Sequence, residues 1–334
     1  MKVIIPVAGI GSKLRPHTHT QPKALVPVAG KPILGHIIDN LIDGGIKDFI
    51  LIIGYLGSKI QSFIYSNYEN NGVNINFVIQ QPREGIGHAV YSARNYLNDE
   101  KEVLIMLGDT ILDLDLKRFI ASEASILGVM KVDNPGDFGV AELNKNGYVK
   151  KLVEKPKIPK SNLALVGIYK INKPPLLIDS IEYIIKNNLK NLGEYQLTEA
   201  LMQMVNKGEK MVTMTVDNWY DCGKKDSLLA ANAILLGRPE FKKTIPYKFS
   251  KTIIIPPVSI GQNCKISNSL IGPNVAIGEN TILSYAIVKD TIVGSFSELQ
   301  SVVLNNSIIG NDTSLKGLSQ SLNIGDNTEI NFSS

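Results

Sequence analysis

Residues 2–16 read KVIIPVAGIGSKLRP, a mostly apolar run followed closely by two glycines and two cations. The apolar part, residues 2–7, predicts a first β-strand because it is short and rich in β-branched side chains. A glycine-bearing turn at the end of a strand exposes backbone N–H groups that can hold a polyanion. Lys13, Arg15 and Lys23 would repel one another in so short a segment unless an anion joined them. We therefore expect this segment to hold a triphosphate.

Beyond this turn, apolar runs of strand length alternate with helical patterns as far as residue 236. Strands are expected at residues 47–53, 73–79, 103–107, 138–143, 148–153 and 163–171, and helices at residues 32–42, 87–97, 196–205 and 226–236. Such alternation predicts an α/β fold, with a mixed, mainly parallel, Rossmann-like sheet that carries helices on both faces. We assign residues 1–236 to one domain of this type.

The composition changes after this domain, where prolines and lysines mark residues 237–250 as a linker. An aliphatic residue followed by glycine, repeated with a six-residue period, is typical of a left-handed β-helix. We therefore predict a small left-handed β-helix of hexapeptide repeats at residues 251–334. The phase break between Ile266 and Ile271 predicts an irregular corner. The Ile-Gly pairs that carry the pattern begin at Ile260, Ile271, Ile277, Ile309 and Ile324, the last of which leads to Ile330.

The composition restricts the classes of function that remain open. The 334 residues carry a net charge of +4 with lysines spread along the chain, which argues against nucleic acid as a partner. Cys222 and Cys264 form no CxxC motif or Cys/His cluster, so neither a zinc site nor a disulfide framework is indicated. No apolar stretch reaches membrane-spanning length, and the start does not read as a signal peptide. We therefore expect a cytoplasmic protein without a membrane or nucleic-acid partner.

Two aspartates are candidates for binding a metal ion. Asp109 follows Gly108 at the end of a predicted buried strand, which is where open α/β sheets bind ligands. Asp221 lies between the aromatic Trp219 and Gly223, and in isolation it is better explained as a turn residue. Mg²⁺ binds through one or two carboxylates together with substrate phosphates, so the two aspartates could share one ion.

The remaining candidates are recognition residues. The amide of Gln81 offers a donor and an acceptor together, which match N3–H and O4 of uracil or thymine. Gly85, four residues later, would let the backbone approach that base closely. Glu154 can accept hydrogen bonds from sugar hydroxyls and Lys155 can pair with a phosphate. Adjacent glutamate and lysine residues are nevertheless more often an exposed ion pair.

Together these motifs resemble the sugar-phosphate nucleotidyltransferase family, and most closely its long-type, glucose-1-phosphate thymidylyltransferase-like members. The resemblance implies that residues 1–236 form a nucleotidyltransferase catalytic domain, with Mg²⁺ as cofactor. The implied reaction condenses a nucleoside triphosphate, dTTP or UTP, with a sugar 1-phosphate, first of all glucose 1-phosphate. An in-line displacement then gives a nucleotide sugar and pyrophosphate. The matching segments are residues 9–16, Pro22-Lys23, residues 81–85, Gly108-Asp109, Phe138-Gly139, residues 154–156, residues 162–167, Gly193-Glu194 and residues 219–223.

The resemblance also implies a role for each candidate residue. The implied catalytic residues are Lys13, Arg15, Lys23 and Asp109, the nucleotide-binding residues are Ala8, Gly9, Gly11, Gln81 and Gly85, the sugar-phosphate-binding residues are Gly139, Glu154, Lys155 and Val166, and the metal ligands are Asp109 and Asp221. The loop departs from the family pattern Gly-Gly-x-Gly-Thr-Arg, because Ile10 replaces a glycine and Lys13 replaces the arginine. Lysine keeps the positive charge but loses the forked geometry of arginine.

Alternatives to this function remain open. The two loop departures also suit a non-catalytic regulatory homologue that binds nucleotide sugars, and another base and sugar pair, such as GTP with mannose 1-phosphate, is a second possibility. Asp113 and Asp115 form an Asp-x-Asp pattern like that of glycosyltransferases, which is a third. Residues 251–334 contain no histidine, so we expect no acyl transfer there. We expect instead a structural or oligomerising unit, and hence a homo-oligomer.

Overall fold

A computed structural model describes residues 1–69, 71–239 and 249–317 of the chain. The chain divides into two compact units, Met1–Ala231 and Asn232–Ser334. The first unit contains a large mixed sheet with helices, and the second contains short stacked strands. Within the described ranges, no helix has the length and apolar character needed to cross a membrane.

Strands and helices alternate along the first unit. Its strands are β1 (Lys2–Pro6), β2 (Pro27–Val28), β3 (Lys31–Pro32), β4 (Asp48–Ile53), β5 (Asn74–Ile79), β6 (Val103–Met106), β7 (Thr110–Asp113), β8 (Ser125–Lys131), β9 (Gly139–Leu143), β10 (Val149–Glu154), β11 (Leu163–Ile171), β12 (Met211–Thr215) and β13 (Asn218–Asp221). The helices are α1 (Ile33–Asp43), α2 (Gly57–Tyr68), α3 (Ile86–Ser92), α4 (Leu116–Ile120), α5 (Pro174–Lys186) and α6 (Leu197–Asn206). A further helix, α7 (Lys225–Leu236), begins in the first unit and ends in the second. The predicted elements are present close to their expected bounds, except that the helix expected at residues 87–97 is the shorter α3 followed by a 3₁₀ turn.

A nine-stranded sheet forms the centre of the first unit. Its path is β10-β9-β11-β6-β1-β4-β5, with β8 attached to β11 and β12 attached to β8. β1 runs parallel to β4 and β6, whereas β11 is antiparallel to β6, β8 and β9. Val3, Ile4 and Ile5 of β1 are all fully buried, as expected for a strand with both faces covered. The predicted Rossmann-like α/β fold is therefore confirmed.

A small ribbon beside this sheet brings distant parts of the chain together. The chain leaves β6 and turns through Gly108 and Asp109 into β7, which pairs antiparallel with β13. In this ribbon Thr110 lies opposite Asp221, and the backbone N–H of Cys222 donates to the carbonyl oxygen of Asp109 at 3.1 Å. Main-chain hydrogen bonds therefore hold Asp109 and Asp221 close to each other, although they are far apart in the sequence.

The second unit stacks short parallel strands into three sheets. Its strands are β14 (Ile253–Ile254), β15 (Val258–Ile260), β16 (Lys265–Ser267), β17 (Leu270–Ile271), β18 (Val275–Ile277), β19 (Ile282–Ser284), β20 (Ile287–Lys289), β21 (Ile292–Val293), β22 (Glu298–Gln300), β23 (Val303–Asn305), β24 (Ile308–Ile309) and β25 (Ser314–Lys316). The sheet orders are β14-β17-β20-β23, β15-β18-β21-β24 and β16-β19-β22-β25. This arrangement is the one predicted from the Ile-Gly repeats, that of a left-handed β-helix.

The sides of this β-helix differ in length. Ile266, Ile271 and Ile277 are buried in its core, and the partly buried Ile260 packs against them. The steps from Ile260 to Ile266, Ile271 and Ile277 are six, five and six residues. The phase break in the sequence is therefore a side that is one residue shorter. The repeat predicted from Ile324 lies outside the described residues, as do residues 240–248 of the predicted linker.

The glycines of the repeats allow successive coils to stack closely. A Cβ at Gly261 would lie 2.4 Å from the backbone nitrogen of Glu279, so no side chain fits there. The glycine is therefore required by the approach of the next coil. Left-handed corner conformations are adopted instead by residues such as Asn263 and Asn280, with φ of 57° and 54°.

Candidate active site

A cavity of about 740 Å³ opens in the first unit where β1 and β6 end. Almost every residue that the sequence singled out contributes to its wall. The predicted residues that line it are Ala8, Gly9, Gly11, Lys13, Arg15, Lys23, Gly85, Asp109, Gly139, Glu154, Lys155, Val166 and Asp221. Gln81 is the predicted residue that does not line it.

The glycine loop after β1 forms one wall of the cavity. Gly11 has a φ of 69°, and a Cβ there would lie 2.8 Å from the Lys23 Cβ, so a side chain would push the loop away from Lys23. The Thr18 hydroxyl donates to the carbonyl oxygen of Gly11 at 2.8 Å and fixes the turn. Lys13 and Arg15 are exposed on either side of the buried Leu14. The loop thus presents backbone and two cations to the cavity.

Lys23 and Asp109 form the central ion pair of the site. The Lys23 Nζ lies 2.5 Å from the Asp109 Oδ2, with side-chain exposures of 17% and 38%. Burial favours the neutral form of Asp109, but the charge and hydrogen bond of Lys23 outweigh it and hold the pKa of that carboxyl below its usual value. Asp109 therefore remains an anion at neutral pH.

Asp221 adds a second carboxylate beside this pair. Burial and the neighbouring Asp109 carboxylate raise the pKa of Asp221, against the opposing effect of Lys23. The backbone N–H of Gly223 donates to Asp221 Oδ1 at 3.0 Å and orients the group. Two neighbouring carboxylates repel each other, and a divalent cation between them relieves this repulsion. Mg²⁺ completes its coordination shell with water and substrate phosphates. The donor set fits Mg²⁺, even though the described residues contain no cluster of three or more possible ligands.

The loop after β5 places Gln80, and not Gln81, at the wall of the cavity. Gln80 is buried, lines the cavity and donates from Nε2 to the carbonyl oxygen of Gly85 at 2.9 Å. Gln81 is exposed and lies away from the cavity. Successive side chains of an extended chain point in opposite directions, so one of two adjacent glutamines faces inward and the other faces solvent. The inward one is Gln80.

Gly85 closes the same loop against the segment before α6. Its φ is 101°, and a Cβ there would lie 2.7 Å from the carbonyl oxygen of Tyr195. Glycine is therefore required both by the conformation and by the space. Outside the cavity, Glu84 forms a 2.9 Å ion pair with Lys190. These contacts join the loop to the chain that leads into α6.

The opposite end of the cavity is built around Glu154. Glu154 ends β10 opposite Gly139 of β9, and its Oε2 accepts a hydrogen bond of 2.7 Å from the Thr198 hydroxyl. Lys155 follows in a left-handed conformation, with φ of 41°, which is rare for a side chain of this type and is typical of functional positions. Its backbone N–H donates to the carbonyl oxygen of Phe138 at 3.0 Å.

A bulge in β11 completes this end. The register between β11 and β8 shifts between Leu165 and Tyr169, and Val166 lines the cavity within this shift. Bulges of this kind redirect side chains next to active sites. Burial, together with the nearby carboxylates of Glu154 and Asp109, raises the pKa of Tyr169 above its usual range. Tyr169 therefore faces the cavity as a neutral phenol.

Several lining residues were not among the predicted site residues. Phe138 and Trp219 form an edge-to-face pair with ring centroids 4.6 Å apart, and both lie in segments that match the family. Gln80 is adjacent to a predicted residue, whereas Thr198 and Tyr169 carried no signal in the sequence. The Asp-x-Asp pattern does not contribute to the cavity. Its first aspartate accepts hydrogen bonds from Asn218 and Tyr220, and its second caps α4.

Comparison with known proteins shows the family of this chain. The nucleotidyl transferase family pattern matches residues 2–237. The low-salt glycan biosynthesis nucleotidyltransferase Agl11 of Haloferax volcanii is 33% identical over 73% of this chain and 68% of its own length. The bifunctional protein GlmU of Methanocaldococcus jannaschii is 36% identical over 76% of this chain, which spans 59% of that protein. A crystal structure described as a glucose-1-phosphate thymidylyltransferase from Bacillus anthracis has a TM-score of 0.61 and 28% identity, covering 74% of this chain and 98% of that one. The chain therefore belongs to the nucleotidyl transferase family.

Proposed function

We propose that this protein condenses a nucleoside triphosphate with a sugar 1-phosphate, giving a nucleotide sugar and pyrophosphate. The main support is that Lys23, Asp109 and Asp221 share one cavity with the glycine loop at one end and Glu154 at the other. Two phosphorylated reactants repel each other, and this cavity gathers the charges that can offset that repulsion. The cavity also has room for both reactants.

The reaction is an in-line displacement in which the residues of this chain bind, align and neutralise. The backbone of Gly9 and Gly11 and the cations Lys13 and Arg15 hold the triphosphate. Lys23 pairs with phosphate as the sugar phosphate oxygen attacks the α-phosphorus and the bond to the β-phosphate oxygen breaks. Asp109 and Asp221 hold Mg²⁺, which supplies positive charge to the phosphates when it is bound. A phosphate monoester is already ionised near neutral pH, so the site needs no general base.

For the base, we propose Gln80 with Gly85, in place of Gln81. An amide at Gln80 can pair with the N3–H and O4 of a pyrimidine, which favours dTTP or UTP. Gln80→Ala should raise the KM for the triphosphate about tenfold or more, whereas Gln81→Ala should leave it unchanged. Equal effects of the two substitutions would contradict this assignment.

For the sugar 1-phosphate, we propose the end of the cavity around Glu154. Glu154 accepts hydrogen bonds from sugar hydroxyls, and the backbone of Gly139 and the side chain of Val166 complete the wall. Lys155 binds the phosphate. The edge-to-face pair of Phe138 and Trp219 offers an apolar surface to the sugar ring. We propose glucose 1-phosphate as the first substrate to test.

A matrix of substrates tests the proposal. Each common nucleoside triphosphate is mixed with glucose, N-acetylglucosamine, galactose and mannose 1-phosphates, and pyrophosphate release is measured with Mg²⁺. We expect turnover with dTTP or UTP and loss of turnover in Asp109→Asn. Ligand binding without turnover in any combination would favour the non-catalytic regulatory homologue, and turnover with GTP and mannose 1-phosphate would correct the substrate pair.

We also propose that the second unit joins copies of this chain. Ile253, Leu270, Ile287 and Val303 lie in register on the outer face of one sheet. Ile253, Ile287 and Val303 are 62%, 48% and 75% exposed. An aligned apolar row in contact with water is typical of a surface that binds a partner. Sedimentation should show an oligomer that Ile287→Lys with Val303→Lys dissociates, and a monomeric wild type would contradict this.

A further inference from the structure

We propose that Thr198 is a positioning residue that fixes the Glu154 carboxylate for recognition of the sugar, an inference that rests on the function proposed above. The Thr198 hydroxyl donates to Glu154 Oε2 at 2.7 Å, and both side chains line the cavity. Within the described ranges, Oε2 is the Glu154 oxygen that the protein bonds. The other oxygen, Oε1, is left to accept hydrogen bonds from the substrate.

The bonded oxygen is also confined from the side of β9. Gly139 lies opposite Glu154 in the β9–β10 pair. A Cβ at Gly139 would lie 3.0 Å from Glu154 Oε2 and 3.2 Å from the Thr198 hydroxyl oxygen. The carboxylate and the hydroxyl therefore rest directly on the backbone of Gly139. The position of Oε2 is set by a hydrogen bond on one side and by a strand on the other.

Thr198 is itself held in place. It is 6% exposed and lies in the first turn of α6. The segment that leads into this helix is bonded to the loop of Gly85, because the Tyr195 N–H donates to the carbonyl oxygen of Glu84 at 2.8 Å and its carbonyl accepts from the Gly87 N–H at 2.8 Å. The hydroxyl is thus presented to Glu154 from an ordered helix end.

The consequence concerns the sugar and not the nucleotide. A carboxylate without this bond can turn about its side-chain torsions, so its free oxygen meets the sugar hydroxyls less often. Losing a hydrogen bond to a charged acceptor should weaken sugar-phosphate binding about tenfold or more. The glycine loop and Gln80 make no hydrogen bond to Thr198 in the described structure, so triphosphate binding should not change.

Steady-state kinetics on two substitutions test this role. Thr198→Val keeps the shape but removes the donor, and we expect its KM for the sugar 1-phosphate to rise about tenfold with kcat and the KM for the triphosphate unchanged. Thr198→Ser keeps the hydroxyl and should restore the wild-type KM. Thr213→Val on β12, outside the cavity, is the matched control. In a Glu154→Ala background, which removes the acceptor of this hydrogen bond, the valine should have no further effect if Thr198 acts through Glu154.

Four results would overturn the inference. These are an unchanged KM in Thr198→Val, a serine variant as impaired as the valine variant, an equal rise in the KM for the triphosphate, and additive effects in the Glu154→Ala background. A crystal structure of Thr198→Val gives a readout that does not depend on turnover. We expect the Glu154 carboxylate to be reoriented in that structure, and an unchanged carboxylate would refute this inference. A wild-type protein that turns over no substrate combination would refute the proposed function instead. The two failures can therefore be distinguished.

Discussion

Replacing Lys23 by methionine tests the charge arrangement on which the proposed reaction depends. Methionine keeps the length and apolar character of the stem but removes the ammonium group, which lies 2.5 Å from Asp109 Oδ2. The Asp109 carboxylate then loses its protein cation and faces Asp221 alone. We expect a modest loss of stability and a much larger loss of activity.

The magnitude follows from the exposure of the pair. Removing one partner of a fully buried ion pair costs about 3–5 kcal/mol, and an exposed pair contributes less than about 1 kcal/mol. Lys23 and Asp109 are 17% and 38% exposed, so this pair lies between these limits. We expect a loss of about 2 kcal/mol, which lowers Tm by about 4–8 °C. Removing a charged group that stabilises the transition state should reduce kcat about 100-fold to 1000-fold.

The assay compares pyrophosphate release and thermal unfolding in the wild type, Lys23→Met and Lys2→Met. Lys2 forms a 3.0 Å ion pair with Glu100 at the other end of β1, so its replacement should not change turnover. Mg²⁺ should raise the Tm of Lys23→Met more than that of the wild type, because the ion then replaces the missing cation beside Asp109. A Lys23→Met enzyme that turns over at the wild-type rate would refute this reasoning.

The other predictions concern the sugar end, the metal ion and alkaline pH. Gly139→Ala should raise the KM for the sugar 1-phosphate more than the KM for the triphosphate, since the new Cβ would lie 3.0 Å from Glu154 Oε2. Steady-state kinetics with each substrate varied in turn measure the two KM values, and equal increases would contradict this prediction. Chelating divalent ions should abolish turnover and added Mg²⁺ should restore it, because Asp109 and Asp221 otherwise repel the phosphates; activity in excess chelator would contradict this. Burial raises the pKa of Tyr68 to about 12, so between about pH 10 and pH 12 the unfolded chain loses a proton that the folded chain keeps. The free energy of unfolding should therefore fall by up to about 1.4 kcal/mol per pH unit more in the wild type than in Tyr68→Phe, and urea unfolding curves whose difference does not vary with pH would exclude this.

The sequence was most informative about functional residues that come directly after the end of a strand. The glycine loop and Asp109 follow β1 and β6, and neighbouring parallel strands end at the same edge of a sheet, so their meeting could be predicted. The position of Asp221 depends instead on the pairing of β7 with β13. No local sequence pattern predicts that pairing. The role of Asp221 had to be taken from the family resemblance.

Other parts of the site depend on contacts that a single sequence does not reveal. Gln80 and Gln81 have identical side chains, and the way each one faces depends on where the strand before them ends. Thr198 meets Glu154 across 44 positions of sequence, through the packing of α6 against β10. The helix α5 was not anticipated either, although Leu177, Ile181 and Ile184 recur at helical spacing and lie in the core.

The stacking of the second unit constrains how its length can change during evolution. Ile253 pairs with Leu270, 17 positions later, and Ile282 pairs with Glu298, 16 positions later. An insertion of one residue within a strand would turn the following aliphatic side chain from the interior to water. When an entire turn is gained or lost, the side chains that face the interior in the other turns still face the interior. Only the coil at the end of the stack is replaced by another. One-residue changes should therefore occur only between strands, as the steps of 17 and 16 positions show. Larger differences between homologues should be whole turns of the β-helix, produced by duplication within a gene.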